Sequence, residues 1–176
     1  MTTRIISLAL NGKPVTYQVD VRQSLLHLLR EQGYTSVKEG CGVGECGACT
    51  VLVDDTPMDA CLLLAVWAEG RAIRTTEGES KAGRLSEVQQ AYLDKGAVQC
   101  GFCTPGLIMT STAFAEKHRG KGPVDRETIR REHAGNLCRC TGYEGIIQAV
   151  EQCLEEKREP IGSDAACACD STDEDG

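Results

Sequence analysis

The residues best equipped for chemistry are the cysteines, of which the chain has eleven. A first set has the spacing Cys41-x4-Cys46-x2-Cys49, with Cys61 following after eleven further residues. The first three positions have the spacing of a plant-type 2Fe–2S ligand loop. Two irons need four thiolates, two on each. Three ligands from one loop must wrap around the cluster, and the fourth must come from elsewhere. The loop 40–49 contains Gly40, Gly42, Gly44 and Gly47. Glycine permits positive φ and close backbone approach, and the amides so exposed can donate to sulfur and tune its electronics.

A second set pairs Cys100-x2-Cys103 with Cys138-x-Cys140. Two cysteine pairs can also build a closed zinc site, although the single-residue gap around Arg139 is tighter than zinc knuckles use. Each pair precedes a helix start, at Thr104-Pro105 and at Thr141-Gly142, and helix N-termini favour anionic cargo. Spacing leaves both cluster and zinc open here. Three cysteines remain. Cys153 falls on an apolar helix side between Val150 and Leu154 and reads as a buried structural thiol. Cys167 and Cys169 lie in an acidic stretch without a glycine scaffold and read as an incidental exposed pair.

Other chemistries find little support. Gly42-Val43-Gly44-Glu45-Cys46-Gly47 matches the dinucleotide fingerprint formally, but it lacks the buried strand before it and the long helix after it. His27, His118 and His133 fall among charged residues in or at the ends of helices and read as surface residues. No paired carboxylates or nucleophile–base set stands out, so no independent catalytic site is expected. The net charge of −7 argues against nucleic acid as a partner. No secretory signal opens the chain, and the longest apolar run, Cys61 to Ala68, is far short of the ~20 residues of a membrane span. The expectation is a cytoplasmic protein with no membrane partner, in a reducing compartment where clustered cysteines serve metals rather than disulfides.

The elements that must hold these residues follow from periodicity. Ile6, Leu8 and Leu10 alternate on one strand, and Val15, Tyr17 and Val19 on another. Asn11-Gly12 between them favours a tight type I′ turn, and Pro14 marks its strand as an edge or a late start. Ser24 caps a helix to Gln32 with Leu25, Leu28 and Leu29 on one face. A short strand at Thr50–Val53, a turn at 54–57, a short helix from Cys61 to near Gly70 and a strand at Arg71–Thr75 complete a first unit. Hairpin, helix, loop, strand, strand is the order of a β-grasp ferredoxin domain. Glu77–Arg84 reads as a linker. Four helices follow, at Ser86–Leu93, Thr104–Lys117, Arg126–Ala134 and around Ile146–Leu154, suggesting a small bundle. The expected fold is therefore α+β, with a β-grasp domain at 1–78, a four-helix domain at 85–157 and an acidic tail at 158–176 expected to be disordered.

Gln99-Cys100-Gly101-Phe102-Cys103-Thr104-Pro105-Gly106 and Gly135-Asn136-Leu137-Cys138-Arg139-Cys140-Thr141-Gly142-Tyr143, together with the Cys41–Cys49 loop and Cys61, resemble the signatures of the molybdenum hydroxylase family. The resemblance extends over residues 4–155 and points to the small iron–sulfur subunit of the xanthine dehydrogenase type. It implies one 2Fe–2S cluster on Cys41, Cys46, Cys49 and Cys61, and a second on Cys100, Cys103, Cys138 and Cys140. It further implies that Gln99 and Cys140 touch a molybdopterin, in its cytosine dinucleotide form, held by a large subunit. A medium subunit would hold FAD on the side of the first cluster. Electrons would run from molybdenum through the second cluster, then the first, to FAD and on to NAD or another acceptor. The assembly would be a heterotrimer acting on purines, with aldehydes and other N-heterocycles such as nicotinate as alternative substrates.

Overall fold

In the computed structural model, residues 2–155 are described; the expected tail with Cys167 and Cys169 lies outside them. The chain opens as the Asn11-Gly12 hairpin requires. Strands β1 (Thr3–Leu10) and β2 (Lys13–Asp20) pair antiparallel with Leu8 opposite Val15. Asn11 and Gly12 both take positive φ, 50° and 77°, as a type I′ turn demands. Ile6, Leu8 and Leu10 point inward and Ile5 outward. Helix α1 (Leu25–Glu31) starts at Ser24, whose side chain accepts from the His27 amide. It buries Leu25, Leu26, Leu28 and Leu29 against the sheet. Each buried leucine contributes about 1.5–3 kcal/mol.

The sheet has five strands in the order β2-β1-β5-β3-β4. β3 (Thr50–Val53) and β4 (Thr56–Asp59) form a second hairpin. β5 (Ala72–Arg74) pairs parallel with β1 and antiparallel with β3. The sequence reading took 54–57 as a turn and missed β4. The turn is only Asp54-Asp55, both at positive φ, and Pro57 obscured the strand. Pro14 and Pro57 both lie on edge strands, where a missing N–H is tolerated. The helix expected after Cys61 is a single 3-10 turn, Ala65–Ala68.

The stretch read as a linker is built into the fold. Helix α2 (Thr76–Glu79) is one turn long. The Glu77 carboxylate accepts from the Ser36 amide and hydroxyl and from the Thr75 hydroxyl. Asn11 bonds Thr75 through both ends of its amide. These partners are distant in sequence, so polarity alone made the segment look free.

Helices α3 (Glu87–Asp94), α4 (Thr104–His118), α5 (Arg126–Glu132) and α6 (Glu144–Glu155) form the second unit. α3 begins with a full capping box of Ser86 and Gln89. α4 is the central element, buried from Gly106 to Thr112 and packed on β3 and β4 on one side and on α3 and α6 on the other. Cys153 is buried in this core, as expected. The three histidines do not behave alike: His27 is exposed, but His133 is buried.

Arg74 on β5 ties the two units electrostatically. Its guanidinium meets Asp55 at 2.9 Å, Glu79 at 3.0 Å and Glu116 of α4 at 2.9 Å. The Glu116 bond is the largest influence raising the arginine's already high pKa. Glu79 is nearly buried, so losing the guanidinium would strand its charge. Arg74→Ala is expected to cost about 2–3 kcal/mol, measured by denaturant unfolding. Arg74→Lys is expected to recover only part, because an ammonium cannot reproduce the bidentate fork.

Candidate metal centres

The loop carrying the first set turns through Gly42, Gly44 and Gly47, all at positive φ. Its amides face sulfur: Val43 N lies 3.4 Å and Glu45 N 3.3 Å from Cys41 Sγ. Those two bonds, the Val43 bond foremost, lower the Cys41 thiol to about 7. The loop is crowded at three glycines, and at Gly47 a Cβ would stand 2.5 Å from the Gly135 carbonyl oxygen. A Cβ on Gly40 would stand 2.8 Å from Cys46 Sγ, and one on Gly44 would collide with Leu62. Cys41 is exposed, Cys46 and Cys61 are half-buried and Cys49 is buried. Burial pushes the Cys49 thiol up to about 12.

The second set sits on the helical unit. Cys103 is the N-cap of α4. Cys100 and Cys140 are exposed, and Cys103 and Cys138 are half-buried; burial pushes the Cys103 thiol up to about 12. The Cys138 segment is pinned by Tyr143, whose hydroxyl accepts from Cys138 N at 2.7 Å and donates to Asn136 O at 3.1 Å. Tyr143 holds a positive φ of 66° to do this, an uncommon strain for a bulky residue. Gln99 and Arg139 are exposed beside the open pair. Phe102 is half-exposed, and its ring edge reaches over Gly40 of the first loop.

Within each set the sulfurs gather as two pairs. Cys41 lies beside Cys46, and Cys49 beside Cys61, all as free thiols. Cys100 and Cys140 are 3.6 Å apart, and Cys103 lies beside Cys138. A single zinc with Zn–S of about 2.3 Å would draw all four sulfurs to roughly equal separations. Two pairs per set, all free thiols, fit a two-iron cluster with two thiolates on each iron.

The sets are joined backbone to backbone. Leu137 N donates to Cys46 O at 2.9 Å. The Asn136 side chain donates to Gly47 O at 2.8 Å and Thr50 Oγ1 at 3.0 Å, and accepts from Thr110 Oγ1 at 2.8 Å. Gly106 on α4 approaches so closely that a Cβ there would stand 2.2 Å from Gly47 O. The signatures were visible in the sequence, but Asn136 as the clamp between them was not, because its partners are more than eighty residues away. Alanine inside a helix normally gains about 1 kcal/mol over glycine. Gly106→Ala is expected to reverse that and cost about 3 kcal/mol through overpacking, whereas Gly135→Ala, which meets nothing within 4 Å, stays within about 0.5 kcal/mol of the parent. Thermal unfolding of the two variants side by side checks this.

Comparison with known proteins agrees with this geometry. Residues 8–71 match the model of a 2Fe-2S iron-sulfur cluster binding domain, and residues 75–151 that of a [2Fe-2S] binding domain. The xanthine dehydrogenase iron-sulfur-binding subunit of Escherichia coli O157:H7 is 59% identical over 155 residues, which is 88% of this chain and 97% of that one. The nicotinate dehydrogenase small FeS subunit of Eubacterium barkeri is 48% identical over 151 residues, 85% and 94% of the two chains. The solved structure of quinoline 2-oxidoreductase from Pseudomonas putida 86 superposes with a TM-score of 0.82 at 43% identity, covering 87% of this chain and 94% of that one. The two cysteine sets, the two domain matches and these relatives agree: the chain belongs to the small iron–sulfur, electron-transfer subunits of the molybdenum hydroxylases.

Proposed function

We propose that this chain is the electron relay of a xanthine dehydrogenase-type complex, with Cys41, Cys46, Cys49 and Cys61 as the ligands of one cluster and Cys100, Cys103, Cys138 and Cys140 as those of the other. Bound there, the clusters supply one-electron storage between a molybdopterin centre on a large subunit and FAD on a medium subunit. Gln99 and Cys140, both exposed, form the face toward the pterin, and the Cys41 loop forms the face toward the flavin. The relay has two domains, 1–78 and 85–157, and works in the cytoplasm. NAD or another acceptor takes the electrons from the flavin. Xanthine is the first choice of substrate because the xanthine dehydrogenase subunit is the more similar of the two relatives above; the nicotinate dehydrogenase subunit, at 48%, keeps an N-heterocycle as the alternative.

The observation that carries this reading is the hydrogen bond from Leu137 N to Cys46 O. It links a ligand of the first set to the residue before Cys138, a ligand of the second. One hydrogen bond and a few covalent bonds then join the sets through rigid backbone. Cys46 and Cys138 are each half-buried, which limits water between them. The chain's own work is thus to fix a distance, exclude solvent and leave one pair of each set near the surface.

The purified protein is expected to be brown, to hold about four irons per chain and to show two distinct paramagnetic signals on reduction. Stoichiometric zinc without iron would overturn the reading. Leu137→Pro deletes the donor N–H and is expected to slow electron exchange between the clusters, followed by freeze-quench EPR. Leu137→Ala keeps that N–H at an exposed position and is expected to exchange at the parent rate. Equal rates in both variants would remove the hydrogen bond from the route.

A further inference from the structure

His133 is only 2% exposed and belongs to neither cysteine set. Its Nδ1 lies 2.8 Å from Ile129 O. A carbonyl only accepts, so Nδ1 carries the hydrogen and Nε2 of the neutral ring is an acceptor. Ser111 Oγ, 2.9 Å from Nε2, therefore donates to it. Tyr92 Oη, 2.7 Å from Ser111 Oγ, donates in turn to the serine. Tyr92 is buried in the same cluster of side chains as Cys103 and Cys138. A directed chain of hydrogen bonds thus runs from Tyr92, which packs with Cys103 and Cys138 of the second set, to a histidine.

The far end of that chain opens outward. His133 lines a cavity of about 290 Å³ together with the exposed Arg130, Gly142 and Glu144. The charged groups around it come from three helices. Glu132 of α5 favours the protonated ring, but Lys117 of α4 pairs with Glu132 at 3.5 Å. Glu144 of α6 is engaged by Arg126 at 2.6 Å. His118 of α4 lies across Phe114, which contacts both imidazoles, with ring centroids 4.4 Å and 5.6 Å apart. Burial is the dominant influence and holds His133 below the ordinary histidine value.

We propose that His133 is the proton acceptor coupled to reduction of the second cluster, acting on it through Ser111 and Tyr92. This rests on the reading that Cys100, Cys103, Cys138 and Cys140 hold that cluster. The step balances simply. One electron, supplied by the enzyme's own turnover, adds one negative charge at the cysteine set. One proton is taken up from solvent on the side of the cavity that His133 lines and leaves the ring with an N–H at Nε2 as well as at Nδ1. Nε2–H then donates to Ser111 Oγ, the serine hydrogen turns to the Tyr92 oxygen, and the tyrosine hydrogen turns away from Ser111. The new positive charge and the reversed dipoles both favour the added electron, in a low-dielectric interior where such terms are strong.

The sign of the linkage follows. Reduction raises the affinity of His133 for its proton. The potential is therefore highest at low pH, falls as pH rises from the histidine pKa of the oxidised state to that of the reduced state, and is flat beyond. His133 acts as a positioning and tuning residue, since it touches neither a ligand nor a substrate.

The test is an EPR-monitored redox titration of the full chain with both clusters loaded, from about pH 5 to about pH 8. The parent is expected to lose potential with rising pH at the second cluster. His133→Asn is expected to lose that slope while keeping its iron content and EPR signals. Ser111→Ala, a smaller change that breaks the chain without removing the imidazole, is expected to weaken the slope by removing the dipole relay and serves if the asparagine variant fails to load. A flat parent, or an unchanged slope in either loaded variant, overturns the proposal. Absence of iron or of a second EPR signal in the parent would instead overturn the cluster reading beneath it.

Discussion

Gly106 stands so near the Gly47 carbonyl that one methyl group would not fit between them. The rest of the molecule is arranged to permit that approach. Gly47 takes positive φ so that its carbonyl faces α4. That carbonyl accepts from Thr50 Oγ1 at 2.7 Å and from Asn136 Nδ2 at 2.8 Å, so a group buried at the junction is fully satisfied. Gly106 lies one turn after Cys103, and Gly47 adjoins Cys46. The contact therefore fixes one cysteine loop against the other through backbone atoms, which have no rotamers to vary. Arg74 and the Asn11–Thr75 bonds reinforce the same junction from the sheet side, but they act through longer side chains or at greater remove from the sulfurs.

This constraint explains why a polar core is tolerated in the helical unit. Thr110, Ser111, His133 and Asn136 are all buried and hydrogen-bonded. Thr110 and Asn136 serve the clamp, and Ser111 and His133 form the chain that ends at Tyr92. Buried polar networks are stable only when their members are satisfied, and they specify one arrangement where an apolar core would allow several. A relay whose working distance is set by this junction gains more from a unique geometry than from a few extra kcal/mol.

Local signals were legible in the sequence, and long-range ones were not. Asn11-Gly12 declared its hairpin, Ser24 and Ser86 their helix starts, and the 41–46–49 spacing its loop, because each depends on neighbours within a few residues. The β-grasp order followed although β4 was missed, since Pro57 hid an edge strand that pairs regularly with β3. The second cysteine set needed the family signatures, because its pairing depends on how two distant segments fold together. His133 was misread for a related reason. Charged neighbours such as Arg131 and Glu132 dominate the local pattern, while the groups that bury the ring, Ser111 and Phe114, lie on another helix.

The distribution of burial among the cysteines gives each set a direction. In the first, Cys49 is buried and Cys41 exposed; in the second, Cys103 and Cys138 are half-buried and Cys100 and Cys140 exposed. Each set thus has an anchored side, where burial raises the Cys49 thiol in one and the Cys103 thiol in the other until a metal takes the proton's place, and an outward side. Exposed apolar residues lie next to both sets in sequence: Val43 and Leu62 at the first, and Leu137 and the half-exposed Phe102 at the second. Exposed apolar surface next to a redox group is costly for a free-standing protein and favourable for one that is covered. This chain anchors each set on one side and leaves the other to be enclosed, which is the physical form a fixed subunit takes.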